Sequence, residues 1–383
     1  MDLGLTQEQQ MVRKTARDFC DKEIAPFVRE WDRSERMDRD IVEKLADIGF
    51  LGGPLPEAYG GSGFDNLSYC LVVEELGRAD SSVRGIVSVN VGLVGKTIEK
   101  WGTEDQKRQW LPKLASGEAL GCYGLTEPGS GSDAAGLKTS AKRDGDSWIL
   151  NGSKMFITNG TWAGLALIFA RTGEEGPRGI TAFLVPTDTP GFSSRAVKGK
   201  LGLRSQDTGE LILEDVRVQD ANRMGELGEG FKVAMSALDK GRMSLAAGSV
   251  GIAQGCLDAS ISYAREREQF GRPIARFQLV QELIADMAVE IEAARLLVWQ
   301  AAYLADRGEK HTLQSSYAKY FASETAVRAA NSAVQVHGGY GYVDEYPVGK
   351  YLRDARVATL YEGTSQIQKL IIGRALTGEN AFF

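Results

Sequence analysis

Apolar residues recur three and four positions apart over the first part of the chain, from Thr6 to about Gly117. This spacing predicts amphipathic helices. The apolar positions that define it are Met11, Phe19, Ile24, Ile41, Leu45, Ile48, Leu71, Val72 and Leu76. Thr6 followed by Gln9 predicts a capping box at the start of the first helix. We therefore expect an N-terminal α-helical domain over residues 1–119.

From about residue 120 to residue 225 the pattern changes to turn signals separated by short apolar runs. Asp144-Gly145 and Asn151-Gly152 are typical of tight β-hairpin turns. Strand-like runs lie at about 139–142, 147–150, 154–158, 165–170, 180–185 and 211–213. Because no long helical pattern interrupts these runs, we expect a middle antiparallel β-barrel domain over residues 120–225.

Helical periodicity returns after residue 230, in segments at about 231–268, 276–307, 312–337 and 365–376. We expect a C-terminal four-helix bundle over residues 226–383. The stretch from Met243 to Ala264 is rich in glycine and serine, which makes it too polar to span a membrane and predicts a helix packed closely on all sides. The order helix, strand, helix assigns the chain to the α+β class.

Charge and cysteine content exclude several classes of protein. The net charge of −6 gives the chain no overall attraction for nucleic acid or anionic lipid. Its four cysteines lie far apart and it has two histidines, so we expect buried free thiols and no metal site. The N-terminus has no signal-peptide pattern. We therefore expect a cytoplasmic protein that binds neither nucleic acid nor a membrane.

The segment from Gly129 to Ala134 fits the GxGxxA pattern of a dinucleotide-binding loop. Such a loop must follow a strand and open a helix, whereas Pro128 precedes this one and β-hairpin signals follow it. A nicotinamide-binding Rossmann site is therefore rejected. The small residues still leave backbone N–H groups free to approach an anion, and the alternative is an ordinary turn.

The segment before the last predicted helix places an acid at an informative position. Ser365 and Gln368 predict a capping box. The helix that follows has an apolar stripe that we expect to be buried, at Ile367, Leu370, Ile371 and Ala375. Glu362 lies just before this helix, where burial raises the pKa of a carboxyl and the helix N-terminus favours its charged form. Such a carboxylate suits a general base; the alternative is an acid that only complements the helix dipole.

Five motifs, in this order and spacing, resemble those of the acyl-CoA dehydrogenase family. They are Tyr123 to Asp133 (YGLTEPGSGSD), Lys154 to Gly160 (KMFITNG), Arg267 to Gly271 (REQFG), Gln335 to Gly341 (QVHGGYG) and Tyr361 to Ser365 (YEGTS). The resemblance covers essentially the whole chain, including the element from Pro56 to Gly61 (PEAYGG). It implies the three-domain fold of that family, with FAD as cofactor and an acyl-CoA thioester as substrate.

The resemblance also implies a role for each matching residue. FAD would be bound by Tyr123, Leu125, Thr126, Ser132, Phe156, Ile157, Thr158, Thr364 and Gln366. The dinucleotide of a neighbouring subunit would be contacted by Arg267, Phe270, Gln278, Gln335, Gly338 and Gly339. Acyl-CoA would be bound by Ser132, Asp239, Arg242, Tyr361 and Gly363. A cofactor site shared in this way requires an oligomer, and the family implies a homotetramer.

The same resemblance implies a reaction. Glu362 removes the α proton of the acyl group while flavin N5 accepts the β hydride, so the product is a trans-2-enoyl-CoA. Some relatives carry their catalytic glutamate at the position of Gly241, which cannot act as a base, so the resemblance assigns that role to Glu362. The electrons then pass to an external acceptor, in this family electron-transfer flavoprotein, as in fatty-acid β-oxidation.

Three alternatives compete with this reaction. A related oxidase would pass the electrons to dioxygen. A flavin monooxygenase shares the fold, but Glu362 in its motif argues against that class. A non-enzymatic relative that binds DNA or acts as a scaffold would have a basic C-terminal face, whereas residues 231–383 carry mixed charge. The sequence leaves the acyl chain length open, although Gly241 favours short or short branched groups. Glycine at that position also leaves room near the reacting carbons.

Overall fold

The first helix begins at the predicted capping box. In the computed structural model, which describes residues 4–381, the Thr6 side chain accepts a hydrogen bond from the Gln9 N–H, and the Gln9 side chain accepts one from the Thr6 N–H. The helices of this part are α1 (Gln7–Glu23), α2 (Val28–Ser34), α3 (Asp40–Asp47), α4 (Asn66–Ala79), α5 (Ser81–Val87), α6 (Lys96–Trp101) and α7 (Glu104–Ser116). A π-helical segment, Ser88–Gly95, joins α5 to α6. The N-terminal part is therefore helical, as the pattern predicts.

The middle of the chain forms one sheet whose strands are mostly antiparallel. They are β1 (Gly121–Gly124), β2 (Ser140–Asp144), β3 (Ser147–Thr158), β4 (Leu165–Arg171), β5 (Ile180–Pro186), β6 (Phe192–Ala196), β7 (Thr208–Gln219) and β8 (Arg223–Met224). Their order is β6-β7-β3-β2-β4-β5-β8, with β1 beside β4. Two contacts differ from the expected antiparallel pairing, because β1 and one end of β2 run parallel to β4. Within the described residues β6 does not pair with β8, so this order is that of an open sheet and not of the expected barrel.

One of the two predicted hairpin turns is confirmed and the other is wrong. Asp144 pairs with Ser147 across the turn that joins β2 to β3. Gly152 instead lies inside β3, where the register against β7 shifts between Leu150 and Gly152. A Cβ at Gly152 would lie 2.6 Å from the Thr139 Oγ1, so glycine is required at this β-bulge. The strand continues through the bulge because β7 pairs with it on both sides.

Three long helices dominate the C-terminal part. Its elements are α8 (Gly230–Glu266), β9 (Glu268–Gln269), β10 (Arg272–Pro273), α9 (Gln278–Asp306), α10 (Thr312–His337), α11 (Val348–Ala358) and α12 (Ser365–Thr377). The four predicted segments are confirmed, whereas α11 was not predicted. The centre of this part is α8, which packs against α10, α9 and the N-terminal α4. The four cysteines are buried free thiols, as expected, and no helix in the described chain is long and apolar enough to cross a membrane.

The crossing of α4 and α8 explains the small residues of α8. A Cβ on Gly77 would lie 2.4 Å from the Gly248 carbonyl oxygen, and one on Gly251 would lie 2.0 Å from the Glu74 carbonyl oxygen. Both distances are far below van der Waals contact, so the two backbones meet where a side chain would separate them. All residues from 241 to 253 are buried, which confirms a helix packed on all sides.

The start of α12 differs from the prediction by one residue. Thr364, not Ser365, is the N-cap, and its side chain accepts a hydrogen bond from the Ile367 N–H. Ser365 instead donates to the Glu324 carboxylate on α10 at 2.5 Å. The expected buried stripe is also wrong, because in the described chain α12 buries only Ser365 and Gln368. The helix lies on the surface of α10, so its apolar side chains stay partly or fully exposed.

We expect Gly251→Ala to destabilise the protein, because the added methyl group would overlap the Glu74 carbonyl oxygen unless α4 and α8 separate. Overpacking of this kind costs about 1–3 kcal/mol, measured as a fall in the free energy of unfolding in denaturant. Gly373→Ala is the matched control, since among the described residues nothing lies within 4 Å of a Cβ at that position of α12. Alanine there favours the helix by about 0.5–1 kcal/mol. Equal stability of the two variants would contradict the close crossing.

Candidate active site

The turn between α11 and α12 holds Glu362 in a strained backbone conformation. Its φ is +54°, in the left-handed region that residues other than glycine seldom adopt, and Gly363 follows with a φ of +90°. Lys319 on α10 donates to the Gly363 carbonyl oxygen at 2.7 Å. Gln368 on α12 donates to the carbonyl oxygens of Glu362 and Gly363 at 3.2 and 3.0 Å. Two helices thus hold the turn, which is the condition for keeping such strain.

The Glu362 carboxyl is enclosed by the protein but not hydrogen-bonded by it. The residue is half-buried, and its Oε2 is closed off from solvent without a partner among the described residues. A Cβ built on Gly241 would lie 2.4 Å from this oxygen and 2.7 Å from the Leu93 Cδ2. Glu362 and Leu93 therefore fill the space beside Gly241, which the sequence analysis expected to be open. An unpaired buried oxygen is an exception that requires an explanation, and a catalytic role is one.

Burial raises the pKa of Glu362 to about 7, and the cations Arg84, Lys319 and Arg242 act against that increase. We expected a helix N-terminus to favour the charged form, whereas side chains on α5, α10 and α8 do so here. Burial also lowers the pKa of Lys319 to about 8. Glu362 is thus close to half-ionised at neutral pH, the range in which a carboxyl can serve as a base.

Arg84 on α5 is a site residue that the sequence analysis missed. It is buried, its Nη2 donates to the Tyr361 hydroxyl at 2.5 Å, and its guanidinium carbon lies 5.8 Å from the centre of the Tyr361 ring. A Cβ on Gly248 would lie 2.8 Å from the Arg84 Cδ, so α8 has a glycine where this side chain passes. The sequence does contain a signal that could have identified Arg84: it is the one charged residue between Asp80 and Lys96.

Residues of α8 and β1 complete the surroundings of Glu362. Arg242 is buried and donates to Asp239 at 2.6 Å, while its Nε has no partner in the part of the chain that the structure describes. Tyr123 is buried and donates to the Ala234 carbonyl oxygen at 3.2 Å. Burial raises the pKa of Tyr123, and the charges of Glu362 and Arg242 act on it in opposite directions. The structure therefore brings these predicted residues together.

The end of β3 meets α5 beside this site. Gln206, which the sequence analysis did not select, donates from Nε2 to the Thr158 Oγ1 at 2.7 Å, and its Oε1 is buried without a partner in the described residues. A Cβ on Gly85 would lie 2.5 Å from that Oε1. Thr158 therefore accepts one hydrogen bond and keeps its own O–H to donate. Phe156 has a φ of +62° and is 67% exposed at a break in the β3–β7 register, whereas Ile157 is buried.

The glycine-rich loop between β1 and β2 is held by a buried ion pair. The Lys154 Nζ lies 2.8 Å from the Glu127 carboxylate and 3.3 Å from the Leu125 carbonyl oxygen. Leu125 is buried beside this pair and Thr126 is half-buried. Ser132, farther along the loop, is exposed. A single 3₁₀ turn and then β2 follow it, so the loop opens no α-helix.

The remaining predicted cofactor residues form a second group at the far end of α8. Arg267 directly follows α8 and is separated from Gly241 by about 39 Å of helix at 1.5 Å per residue. Together with Gly338 and Gly339 it lines a cavity of about 470 Å³. All six residues of this group are exposed, including Phe270, Gln278 and Gln335. Two other predicted cofactor residues lie near Glu362 at the start of α12, half-buried Thr364 and exposed Gln366. Within one chain, the second group therefore lies far from Glu362.

Family models match the chain in three consecutive segments. The acyl-CoA dehydrogenase N-terminal domain matches residues 6–118. The middle domain of the same family matches residues 122–216, and the C-terminal domain matches residues 228–377. The three matches together span nearly all of the chain.

Solved structures extend the match to the complete fold. The Acidaminococcus fermentans electron transferring flavoprotein structure is 45% identical, with a TM-score of 0.97 over 99% of this chain and 100% of that chain. The Megasphaera elsdenii butyryl-CoA dehydrogenase is 43% identical, with a TM-score of 0.96 over 98% of this chain and 100% of that one. A Mycobacterium smegmatis glutaryl-CoA dehydrogenase in complex with FADH2 is 38% identical, with a TM-score of 0.95 over 99% of this chain and 97% of that chain. The chain therefore belongs to the acyl-CoA dehydrogenase family and is an FAD-dependent oxidoreductase that dehydrogenates an acyl-CoA thioester.

Proposed function

We propose that Glu362 is the base of this dehydrogenation. The observation that carries the proposal is its Oε2, which is buried and unpaired within the described residues, on a carboxyl whose pKa burial raises to about 7. A carboxylate with a free lone pair and a proton affinity near neutrality can remove the weakly acidic proton next to a thioester carbonyl. Gly241 supports the proposal, because the Glu362 carboxyl fills the space that a side chain at that position would occupy.

The Glu362 backbone serves the same step. Within residues 4–381 its N–H donates no hydrogen bond, so it is free to donate to the thioester carbonyl oxygen. A donor at that oxygen stabilises the negative charge that develops there, which makes the α C–H bond more acidic. Base and donor then belong to one residue, and the hydrogen bonds from Lys319 and Gln368 to the turn keep that residue in place.

We assign acyl-CoA to the space around Glu362 and propose that the acyl group is short. The unpartnered Nε of buried Arg242 supplies a donor for the CoA part. Leu93 borders the same space beside Gly241 as the carboxyl and limits the room there. The similarity to the Megasphaera elsdenii butyryl-CoA dehydrogenase also favours a short group. The residues that we propose for acyl-CoA are Ser132, Asp239, Arg242, Tyr361 and Gly363.

FAD fits the residues where β3 meets α5. The free O–H of Thr158, the unpartnered Oε1 of Gln206 and the exposed ring of Phe156 provide hydrogen-bonding groups and an aromatic surface for a flavin. When bound there, FAD supplies the acceptor for the hydride that leaves the β carbon. The residues that we propose for it are Tyr123, Leu125, Thr126, Ser132, Phe156, Ile157, Thr158, Thr364 and Gln366.

We propose a homotetramer in which the second group serves the cofactor of a neighbouring subunit. The length of α8 between Gly241 and Arg267 keeps the two groups of one chain apart. Phe270 is 92% exposed, and a second copy would cover this apolar surface. The proposed group is Arg267, Phe270, Gln278, Gln335, Gly338 and Gly339.

We also propose the domain boundaries expected from the sequence, after residues 119 and 225. They fall between α7 and β1 and between β8 and α8.

Electron-transfer flavoprotein is the acceptor that we propose, in cytoplasmic fatty-acid β-oxidation. Family membership and the similarity to the Acidaminococcus fermentans electron transferring flavoprotein structure support this acceptor. We expect the substrate-reduced enzyme to transfer its electrons rapidly to electron-transfer flavoprotein and to stay reduced in air over the same time. The measurement is absorbance at the flavin band together with an assay for hydrogen peroxide. Rapid peroxide formation would favour an oxidase instead.

We expect Glu362→Gln to bind FAD and acyl-CoA but to reduce its flavin about 10²- to 10⁴-fold more slowly, the usual contribution of a general base. The amide keeps the shape of the side chain and removes the basic oxygen. Anaerobic stopped-flow absorbance after mixing with butyryl-CoA measures the rate. Glu345→Gln, which changes an exposed carboxyl, is the control. A normal rate in Glu362→Gln would assign the base to another group.

We expect kcat/KM to increase with pH through a midpoint near 7. Below that pH Glu362 is mainly protonated and cannot accept the substrate proton, and above it the carboxylate is ionised. Lys319→Met should move the midpoint to higher pH, because it removes a cation that lowers the Glu362 pKa. Lys369→Met, an exposed lysine on α12, should leave the midpoint in place. Identical profiles for the two variants would argue against the charge interaction.

A further inference from the structure

Arg84 carries a buried charge that the chain itself leaves without a counter-ion. The residue is 4% exposed. Its Nη2 donates to the neutral Tyr361 hydroxyl, and its Nε is buried without a partner among the described residues. No carboxylate within residues 4–381 forms an ion pair with it. Burial of an unpaired guanidinium is costly, and buried charges in proteins are normally paired, so an anion from outside the chain would complete this site.

Two buried acids in this region are already engaged. Asp80 lies one turn before Arg84, and its Oδ1 accepts a hydrogen bond from Lys350 at 2.7 Å. Asp354 accepts one from the same lysine at 2.5 Å. Glu362 is the proposed base, which must keep its Oε2 unpaired. None of these three acids forms an ion pair with Arg84 within residues 4–381, although the charges of Glu362 and Arg84 attract each other.

Glycines on one face of α8 show where Arg84 lies relative to the base. A Cβ on Gly241 would lie 2.4 Å from the Glu362 Oε2, and one on Gly248 would lie 2.8 Å from the Arg84 Cδ and 3.0 Å from its Nε. Residues seven apart share a helix face and lie about 10 Å apart along the axis. Asp239, which we assign to CoA, lies toward the opposite end of α8 from Gly248. Arg84 is thus positioned at the end of the acyl group that is remote from CoA.

Buried hydroxyl groups lie at and beside the segment of α8 between Gly241 and Gly248. Ser244, on α8 between the two glycines, donates to Ser88 at 2.9 Å and contacts the Tyr69 hydroxyl at 3.3 Å. Ser88 follows Arg84 by four residues, and all three hydroxyl residues are buried. A pocket for an unsubstituted alkyl chain is expected to be apolar. These buried hydroxyl groups near the base and the charge of Arg84, which forms no ion pair within residues 4–381, together favour an acyl group that ends in an anion.

We propose that Arg84 binds a carboxylate at the far end of the acyl group, so that the preferred substrates are CoA monothioesters of short dicarboxylic acids such as glutaric acid. The free Nε–H is a donor for such a group, and guanidinium binds carboxylates through parallel, charge-assisted hydrogen bonds. The inference rests on the proposed function, because Glu362 and the redox step are the same. Only the recognition of the acyl group is added.

Two thioesters of similar shape separate the effect of charge from that of size. Glutaryl-CoA ends in a carboxylate, whereas 5-methylhexanoyl-CoA ends in an isopropyl group of similar shape. We expect the kcat/KM of the wild-type enzyme to be about 10- to 100-fold higher for glutaryl-CoA, the range of a hydrogen bond to a charged group. In Arg84→Gln this preference should disappear. Arg307→Gln, which changes an exposed arginine at the end of α9, should keep it.

Binding without turnover provides a second readout. In the Glu362→Gln variant, calorimetric dissociation constants for the two thioesters report recognition alone. We expect glutaryl-CoA to bind more tightly, and addition of Arg84→Gln to remove the difference. Arg84→Lys serves if Arg84→Gln fails to fold, because it keeps the buried cation; it should retain part of the preference and lose the part that depends on the planar guanidinium.

The outcomes distinguish this inference from the proposed function. An enzyme whose flavin no acyl-CoA reduces, butyryl-CoA included, would reject the proposed function and the inference with it. An enzyme that oxidises butyryl-CoA but shows no preference for glutaryl-CoA would keep the proposed function and reject Arg84 as a carboxylate site. Equal losses for both thioesters in Arg84→Gln would do the same, since Arg84 would then only position Tyr361.

Discussion

The rest of the site depends on keeping one carboxyl buried and unpaired. A hydrogen bond from the protein to the Glu362 Oε2 would occupy its lone pair and favour its charged form, and both effects would weaken it as a base. The structure surrounds the carboxyl with cations on three helices that act on it without bonding to that oxygen. It fixes the residue through its backbone instead, by hydrogen bonds from Lys319 and Gln368 to the strained turn. The position of the residue therefore depends on hydrogen bonds to its backbone, and its proton affinity on burial and nearby charges; Lys319 contributes to both.

One helix, α8, meets the packing requirement and the chemical requirement with the same kind of residue. Gly251 allows α4 to cross at backbone distance, Gly241 admits the Glu362 carboxyl, and Gly248 admits both Arg84 and the backbone of α4 at Gly77. These glycines follow one another at spacings of seven and three, so they lie on neighbouring faces of the helix. Glycine weakens an isolated helix, but the loss is offset here because all residues from 241 to 253 are buried.

The site is assembled where the sheet meets the helices. Gln206, just before β7, bonds Thr158 at the end of β3 and lies against Gly85 on α5, next to Arg84. The Leu203 N–H donates to Asp354 of α11 at 2.7 Å, which ties the same loop to the C-terminal helices. Residues from all three parts of the chain thus contact one another around the site. The chemistry depends on how these parts dock, and not on any one of them alone.

Local patterns in the sequence predicted the order of helical and strand regions, the first helix cap, the buried cysteines and the family, because periodicity, capping residues and motifs are local in the chain. The sequence also pointed to Glu362 through its place before a helix. It mispredicted Asn151-Gly152, where the long partner strand β7 overrode a local turn signal, and the buried stripe of α12, because burial depends on what lies opposite. Arg84, Lys319 and Gln206 became visible only in the tertiary structure. Their roles come from desolvation and from charges that are distant in sequence but close in space, and neither is encoded in a local pattern.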